Sequence, residues 1–337
     1  MQSPTHVKPA FLFPGQGSQY VGMGRDLYDH HPAARAVFEE ADAALGFALS
    51  QIIFEGPEDT LKLTEHTQPA ILTVSIAAAR VLAEQSIAPS LAAGHSLGEY
   101  SAHVAAGTLP FADAVRAVRL RGHYMQQAVP PGEGAMAAIL GLDPALIAII
   151  CDQVSDQLTP LPQTPEAATF DPRLAVVSPA NLNSPAQTVI SGATLAVERA
   201  AALCKEAGAK RTVMLPVSAP FHCALMQPAQ DRLAADLTAL TFRDPAIPVA
   251  ANVSATLVTT GPVARAALIA QVTGAVRWVE CIQLLASSGA THFIEVGPGR
   301  VLTGLLKQIL GKDSTLPALN VEDSASLEKT LADLAPV

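Results

Sequence analysis

The 337-residue chain is half hydrophobic and only 15% charged, which argues for a dense globular protein and against disorder. Its length exceeds what one compact core usually holds, so two domains, or one domain carrying an insertion, are expected. A formal net charge of −9 with no Lys/Arg tract disfavours nucleic acid as a partner.

In chain order, the apolar run ending in Phe11-Leu12-Phe13 reads as a first strand. Helical stretches follow over Arg25–Ala43 and Gln68–Glu84. The most apolar run, Ile71 to Ala83, is short and contains Arg80, so no membrane span is expected. Residues 1–13 lack the layout of a secretory signal. Ser90-Leu91-Ala92-Ala93 reads as a strand giving way to helices over Leu97–Ala106 and Ala112–Gln127. Past Pro130-Pro131-Gly132 the rhythm changes to strand Ala135–Leu140, helix Pro144–Val154, strands Leu174–Ser178 and Thr188–Ser191, helix Leu195–Ala207 and strand Arg211–Leu215. That order, β-α-β-β-α-β, is the ferredoxin-like split unit, and Thr159 to Pro172, with Pro160, Pro162, Pro165 and Pro172, reads as a solvated loop within it. Strands at Ile247–Ala251 and His292–Val296 return to the main rhythm, and Leu319–Leu334 supplies an edge strand and a closing helix. The expectation is an α/β fold with a mostly parallel sheet: residues 1–130 and 217–337 form the larger domain and residues 131–216 an inserted smaller one.

Gly94-His95-Ser96-Leu97-Gly98 is the chain's single G-x-S-x-G. It lies between a strand and a helix, the context in which such a motif is a nucleophile elbow. There a serine sits at the apex of a sharp turn, and backbone N–H groups at the helix start can meet an oxyanion. A serine hydroxyl needs a base within hydrogen-bond reach, and nine histidines compete. His95 would point across the turn and His103 lies two helical turns on; His6, His30, His31 and His66 stand in polar surroundings; packing or solvent explains His123 and His292. His222 lies in the loop Val217 to Met226 at the return from the insertion, a junction of the kind where pockets form, although spacing alone favours a buried loop histidine. No acidic residue stands out as a third triad member.

Pro14-Gly15-Gln16-Gly17-Ser18-Gln19 lacks the glycine or Gly-Lys-Ser/Thr spacing of nucleotide loops, as does Gly297-Pro298-Gly299. The first loop, with Gln16, stands where a second oxyanion donor usually originates, and an ordinary glycine turn fits its spacing as well. Arg121 is the side chain suited to bidentate carboxylate recognition, but its default reading is a surface or capping arginine. Lys205, Lys210 and Arg211 read as a solvated helix end. Cys151, Cys204, Cys223 and Cys281 lack C-x-x-C spacing, so no metal site is expected, and reduced thiols in a cytoplasmic protein fit best.

Together, Phe13 to Gln19, Gly94 to Tyr100, Val217 to Met226 and Glu295-Val296-Gly297-Pro298-Gly299 closely resemble the malonyl-CoA:acyl-carrier-protein transacylase family of fatty acid and polyketide synthesis. The likeness runs from Phe11 to about Leu310. It implies an α/β-hydrolase-like large domain with a ferredoxin-like insertion. It places the nucleophile on Ser96, the base on His222, oxyanion donors on the Gln16 and Leu97 backbones, the malonyl carboxylate on Arg121, and a histidine-orienting main-chain carbonyl on Gln271. No cofactor is implied: a coenzyme A thioester is a substrate and an acyl carrier protein with its phosphopantetheine arm is the partner, with no nucleic acid or membrane involved. Phe221 departs from the serine common before the histidine in stand-alone fatty-acid enzymes and looks like malonyl-selecting polyketide acyltransferases, so the pathway stays open. A hydrolase of stalled acyl-thioesters would share Ser96 and His222, but Arg121 and Phe221 favour transfer. Intact Ser96 and His222 argue against a non-catalytic docking domain.

Overall fold

The computed structural model describes residues 7–160, 166–217, 219–311 and 313–335. The main body opens with β1 (Pro9–Phe13), α1 (Arg25–His30), α2 (Pro32–Leu45), α3 (Leu49–Glu55), α4 (Glu58–Lys62) and α5 (Thr64–Glu84), then β2 (Leu91–Gly94), α6 (Gly98–Ala105) and α7 (Phe111–Gln127). A second group follows: β3 (Gly134–Leu140), α8 (Pro144–Leu158), β4 (Val177–Ser184), β5 (Gln187–Ala193), α9 (Thr194–Glu206) and β6 (Arg211–Met214). The chain then adds α10 (Gln227–Ala239), β7 (Val249–Ala250), β8 (Leu257–Val258), α11 (Gly261–Ala270), α12 (Trp278–Ser287), β9 (His292–Val296), α13 (Val301–Leu310), β10 (Ala318–Val321) and α14 (Ser324–Leu334).

Six strands form the larger sheet in the order β10-β9-β1-β2-β7-β8. All pairs are parallel except β7 with β8. β1 and β2 are buried along their whole length, as expected of parallel strands covered on both faces, and this is why they read as unbroken apolar runs. In the register between them Phe13 lies opposite Gly94. The loop carrying Gln16 and the turn carrying Ser96 therefore leave the sheet side by side, at the carboxyl ends where open α/β sheets place their ligands. The apolar run Ile71 to Ala78 is buried inside α5, which packs against α2, α6 and α7. Among the described residues no helix is long and apolar enough to cross a membrane.

The four-stranded sheet has the order β4-β5-β3-β6 with every pair antiparallel, the ferredoxin-like arrangement, and α8 and α9 pack together against it. This sheet meets the main body through β4: Asn181 bridges Val276, the Leu182 N–H donates to the Val276 carbonyl at 2.9 Å, and the Val276 N–H donates to Ala180 at 2.8 Å.

Three elements differ from the expectations. The helix expected over Arg25–Ala43 is two, because a proline disfavours the helical conformation in the residue before it: His31 is extended and Pro32 opens α2. The strand expected at Leu174–Ser178 begins only at Val177, since Pro172–Ala175 is a 3₁₀ turn capped by the Asp171 carboxylate on the Arg173 N–H. It then runs on through Pro179-Ala180-Asn181-Leu182-Asn183 with two register shifts, and bulges of this kind hide a strand from an alternation pattern. The strand at Ile247–Ala251 is paired only over Val249–Ala250. Within the loop expected over Thr159–Pro172, residues 161–165 lie outside the described residues, as do His6 and Ser218. The Lys205 ammonium bonds the carbonyls of Ala209 and Lys210, closing the end of α9.

Candidate active site

The chain turns from β2 into α6 within three residues, and Ser96 sits at the apex with φ 53°, a left-handed conformation that a non-glycine residue adopts only where its surroundings enforce it. Two glycines make the approach feasible. A Cβ on Gly94 would lie 1.9 Å from the Gly98 carbonyl carbon, and one on Gly98 would lie 2.2 Å from the Phe13 carbonyl oxygen. Gly98→Ala should therefore push α6 away from β1 and destabilise the fold by about 3 kcal/mol. A urea midpoint within error of wild type would show that the turn tolerates the methyl group. The Asn252 side chain straps the turn: its Oδ1 accepts from the Ser96 N–H at 2.8 Å, and its Nδ2 donates to the Gly94 carbonyl at 2.8 Å. His95 points away from the serine, with Nε2 2.8 Å from Asn183 Oδ1 and its ring edge-on to Trp278.

His222, also at positive φ (60°), places Nε2 2.7 Å from Ser96 Oγ. Its Nδ1 lies 2.9 Å from the Gln271 carbonyl and 3.1 Å from the Gly274 carbonyl. Carbonyl oxygens only accept, so Nδ1 carries the proton and Nε2 offers its lone pair to the serine hydroxyl. Two main-chain carbonyls thus occupy the place an aspartate fills in a triad. Burial first, and then the charge of Arg121, pushes the His222 pKa down to about 3, so the imidazole is neutral throughout the working range.

Arg121 is 2% exposed. It lies on the buried stripe of α7 with Ala114, Val118 and Met125, at helical spacing that a surface arginine would not share. Nη1 donates to Gln68 Oε1 at 2.8 Å; Nη2 donates to Gln271 Oε1 at 2.9 Å and to Ser96 Oγ at 3.2 Å. Nε is buried without a partner among the described residues. Among the described residues no carboxylate forms an ion pair with it, so its contacts are all with neutral groups. A buried guanidinium with no carboxylate partner, set beside a serine hydroxyl, has the chemistry to receive an anion.

These groups surround a cavity of about 120 Å³. Gln16, Leu97, Ser96 and His222 line one side, and Met136, Asn181 and Leu215 come from the four-stranded sheet and the segment after it. Phe221, Gln68, His95, Met125 and Val217 complete the lining with Arg121. The structure thus gathers Ser96, His222, Arg121, Gln16, Leu97 and Phe221 at one cavity and sets Gln271 directly behind it. Gln68, Glu99 and Asn252 escaped the sequence reading. Glu99 adjoins the elbow motif, and Gln68 shares a buried helix face, so each carried a signal: a polar residue where periodicity demands an apolar one. Among the described residues no group of three or more His, Cys, Asp or Glu side chains is placed to hold a metal ion.

Residues 10–330 match the acyl transferase domain family. The malonyl CoA-acyl carrier protein transacylase of Escherichia coli (strain K12) is 48% identical over 323 residues, covering 96% of this chain and 98% of that protein. The Bacillus subtilis (strain 168) protein of the same name is 46% identical over 327 residues, covering 97% of each. Of solved structures, an acyl carrier protein S-malonyltransferase from Vibrio cholerae superposes with a TM-score of 0.88 at 46% identity, covering 96% of this chain and all of that one. A malonyl-transacylase in complex with its type II PKS acyl-carrier protein gives a TM-score of 0.88 at 45% identity, covering 97% of this chain and all of that one.

Proposed function

The chain belongs to the acyl transferase family, and from that membership we propose that it moves a malonyl group from coenzyme A to the phosphopantetheine thiol of an acyl carrier protein through an ester on Ser96. The observation that carries this reading is the contact of Ser96 Oγ with both His222 Nε2 at 2.7 Å and Arg121 Nη2 at 3.2 Å: nucleophile, base and carboxylate receptor meet at one oxygen.

The reaction runs in two halves. His222 Nε2 takes the hydroxyl proton as Ser96 Oγ bonds to the thioester carbon. The oxyanion is met by the backbone N–H groups of Gln16 and Leu97. Collapse breaks the carbon–sulfur bond, and the proton on Nε2 goes to the departing coenzyme A sulfur. In the second half the carrier thiol gives its proton to Nε2, its sulfur attacks the ester, and Ser96 regains the proton as it leaves.

Arg121 also links selection to reactivity. Its charge is one of the causes holding His222 down, and a malonyl carboxylate on the guanidinium offsets that charge. The right substrate therefore raises the basicity of the histidine as it binds, whereas an acetyl group does not. Phe221 lines the same cavity and crowds the acyl α-carbon. Phe221→Ser should raise kcat/KM for methylmalonyl relative to malonyl by about tenfold; an unchanged ratio removes the crowding argument.

Residues 1–130 with 217–337 make up the catalytic domain in this account, and residues 131–216 close the cavity as an insertion. The four free cysteines, all buried, suit a reducing compartment, and we place the enzyme in the cytoplasm, serving fatty acid or polyketide synthesis. Coenzyme A release tests transfer against hydrolysis. Without carrier protein, malonyl-CoA should yield one burst equal to the enzyme present and then stop until carrier is added. Steady release into water would identify a thioester hydrolase instead.

A further inference from the structure

Glu99 stands in the first turn of α6 and is completely buried. Both donors that reach its carboxyl converge on one oxygen: Oε2 accepts from the Asn252 N–H at 2.9 Å and from Gln271 Nε2 at 2.7 Å. Among the described residues Oε1 is buried with no partner. Arg121 does not touch it. Between them stands the Gln271 amide, whose Nε2 faces Glu99 and the Ser96 carbonyl while its Oε1 accepts from Arg121.

An anion with one oxygen bare in a site closed to water is costly, because half of its charge goes unsolvated. A carboxylic acid fits the same geometry at far less cost. Its carbonyl oxygen accepts both bonds, and its hydroxyl takes the bare position. We propose that Glu99 works as a carboxylic acid with its proton on Oε1, a positioning residue that fixes which way the Gln271 amide faces and leaves Arg121 with no buried counterion. The substrate carboxylate is then the first anion the guanidinium meets. This role rests on the reading of Arg121 as the malonyl receptor.

The other titratable or charged groups facing this carboxyl are Arg121 from α7, Tyr100 from α6 and Cys281 from α12, with His222 beyond Arg121. Burial raises the Glu99 pKa to about 7. The group is therefore neutral on the acid side and ionises as pH rises. Ionisation sets a negative charge one amide away from Arg121, a rival to the substrate carboxylate.

The experiment pairs infrared spectroscopy with kinetics on wild type and Glu99→Gln. At about pH 6 the difference spectrum between them should show the carbonyl stretch of a protonated carboxylic acid, and that band should fade in wild type as pH rises through about 7. Between about pH 6 and about pH 9 the wild-type KM for malonyl-CoA should rise about three- to tenfold while that of Glu99→Gln stays flat over the same range. Absence of the band at about pH 6, or parallel KM profiles in the two proteins, overturns the proposal. Where Glu99→Gln does not fold, Glu99→Asp takes its place as the reference: a carbonyl band that changes frequency between it and wild type assigns the proton to position 99, and an unchanged band overturns the proposal. Glu295, also buried with a raised pKa, cancels in the difference. A wild-type protein that transfers no malonyl at any pH would sink the substrate reading, and the band would still report where the proton lies.

Discussion

Ser96→Ala is expected to lower kcat/KM for malonyl transfer by about 10⁴-fold or more and to leave no coenzyme A burst, because the reaction then lacks the atom proposed to carry the ester. His222→Ala should fall almost as far. Nε2 lies 2.7 Å from the hydroxyl as the proposed base, and a neighbouring cation such as Arg121 cannot replace it. Since the two residues act as one unit, the double variant should be no worse than Ser96→Ala alone. Steady-state transfer to a carrier protein, with active-site titration to count competent molecules, checks all three proteins. A Ser96→Ala protein retaining even a hundredth of wild-type activity, by rough order of magnitude, would mean that another group carries the acyl chain.

Arg121→Ala is expected to depress kcat/KM for malonyl by about ten- to a hundredfold, the range for a charge-assisted bond to a carboxylate. Acetyl transfer should fall much less, or rise, because removal of the guanidinium also removes one of the causes that hold His222 down. Arg121→Lys should rescue poorly. The guanidinium spans Gln68, Gln271 and Ser96 at once, and an ammonium lacks the planar fork that such a span requires. Competition between malonyl-CoA and acetyl-CoA in one vessel reads the ratio directly. Equal losses for both substrates would reduce Arg121 to a structural arginine.

Much of this arrangement was legible in the sequence, because short-range features specify it. The elbow could be read because two glycines and an apolar strand are local requirements, and the structure shows why: neither Gly94 nor Gly98 has room for a Cβ. The order of the strands in the four-stranded sheet could be read because β3, β5 and β6 stand close to where apolar residues cluster. β4 could not be delimited, since Pro179, Asn181 and Asn183 belong to a bulged strand held by the main body through Val276. Composition also left Arg121 ambiguous, and only the helical stripe it shares with Ala114, Val118 and Met125 reveals its burial. The Glu99–Gln271–Asn252 network was the least accessible part. Its members come from α6, the end of α11 and the segment after β7, and no single stretch of sequence brings them together.

If the proposed mechanism holds, the chain carries malonyl as an ester on Ser96. Mixing the wild-type protein with malonyl-CoA, quenching in acid and mapping the adduct by peptide mass spectrometry tests it most directly. The predicted result is one malonyl group per molecule, on the peptide containing Ser96, discharged when carrier protein is added before the quench. An adduct on any other residue, or a protein that transfers malonyl with no adduct at all, would contradict it.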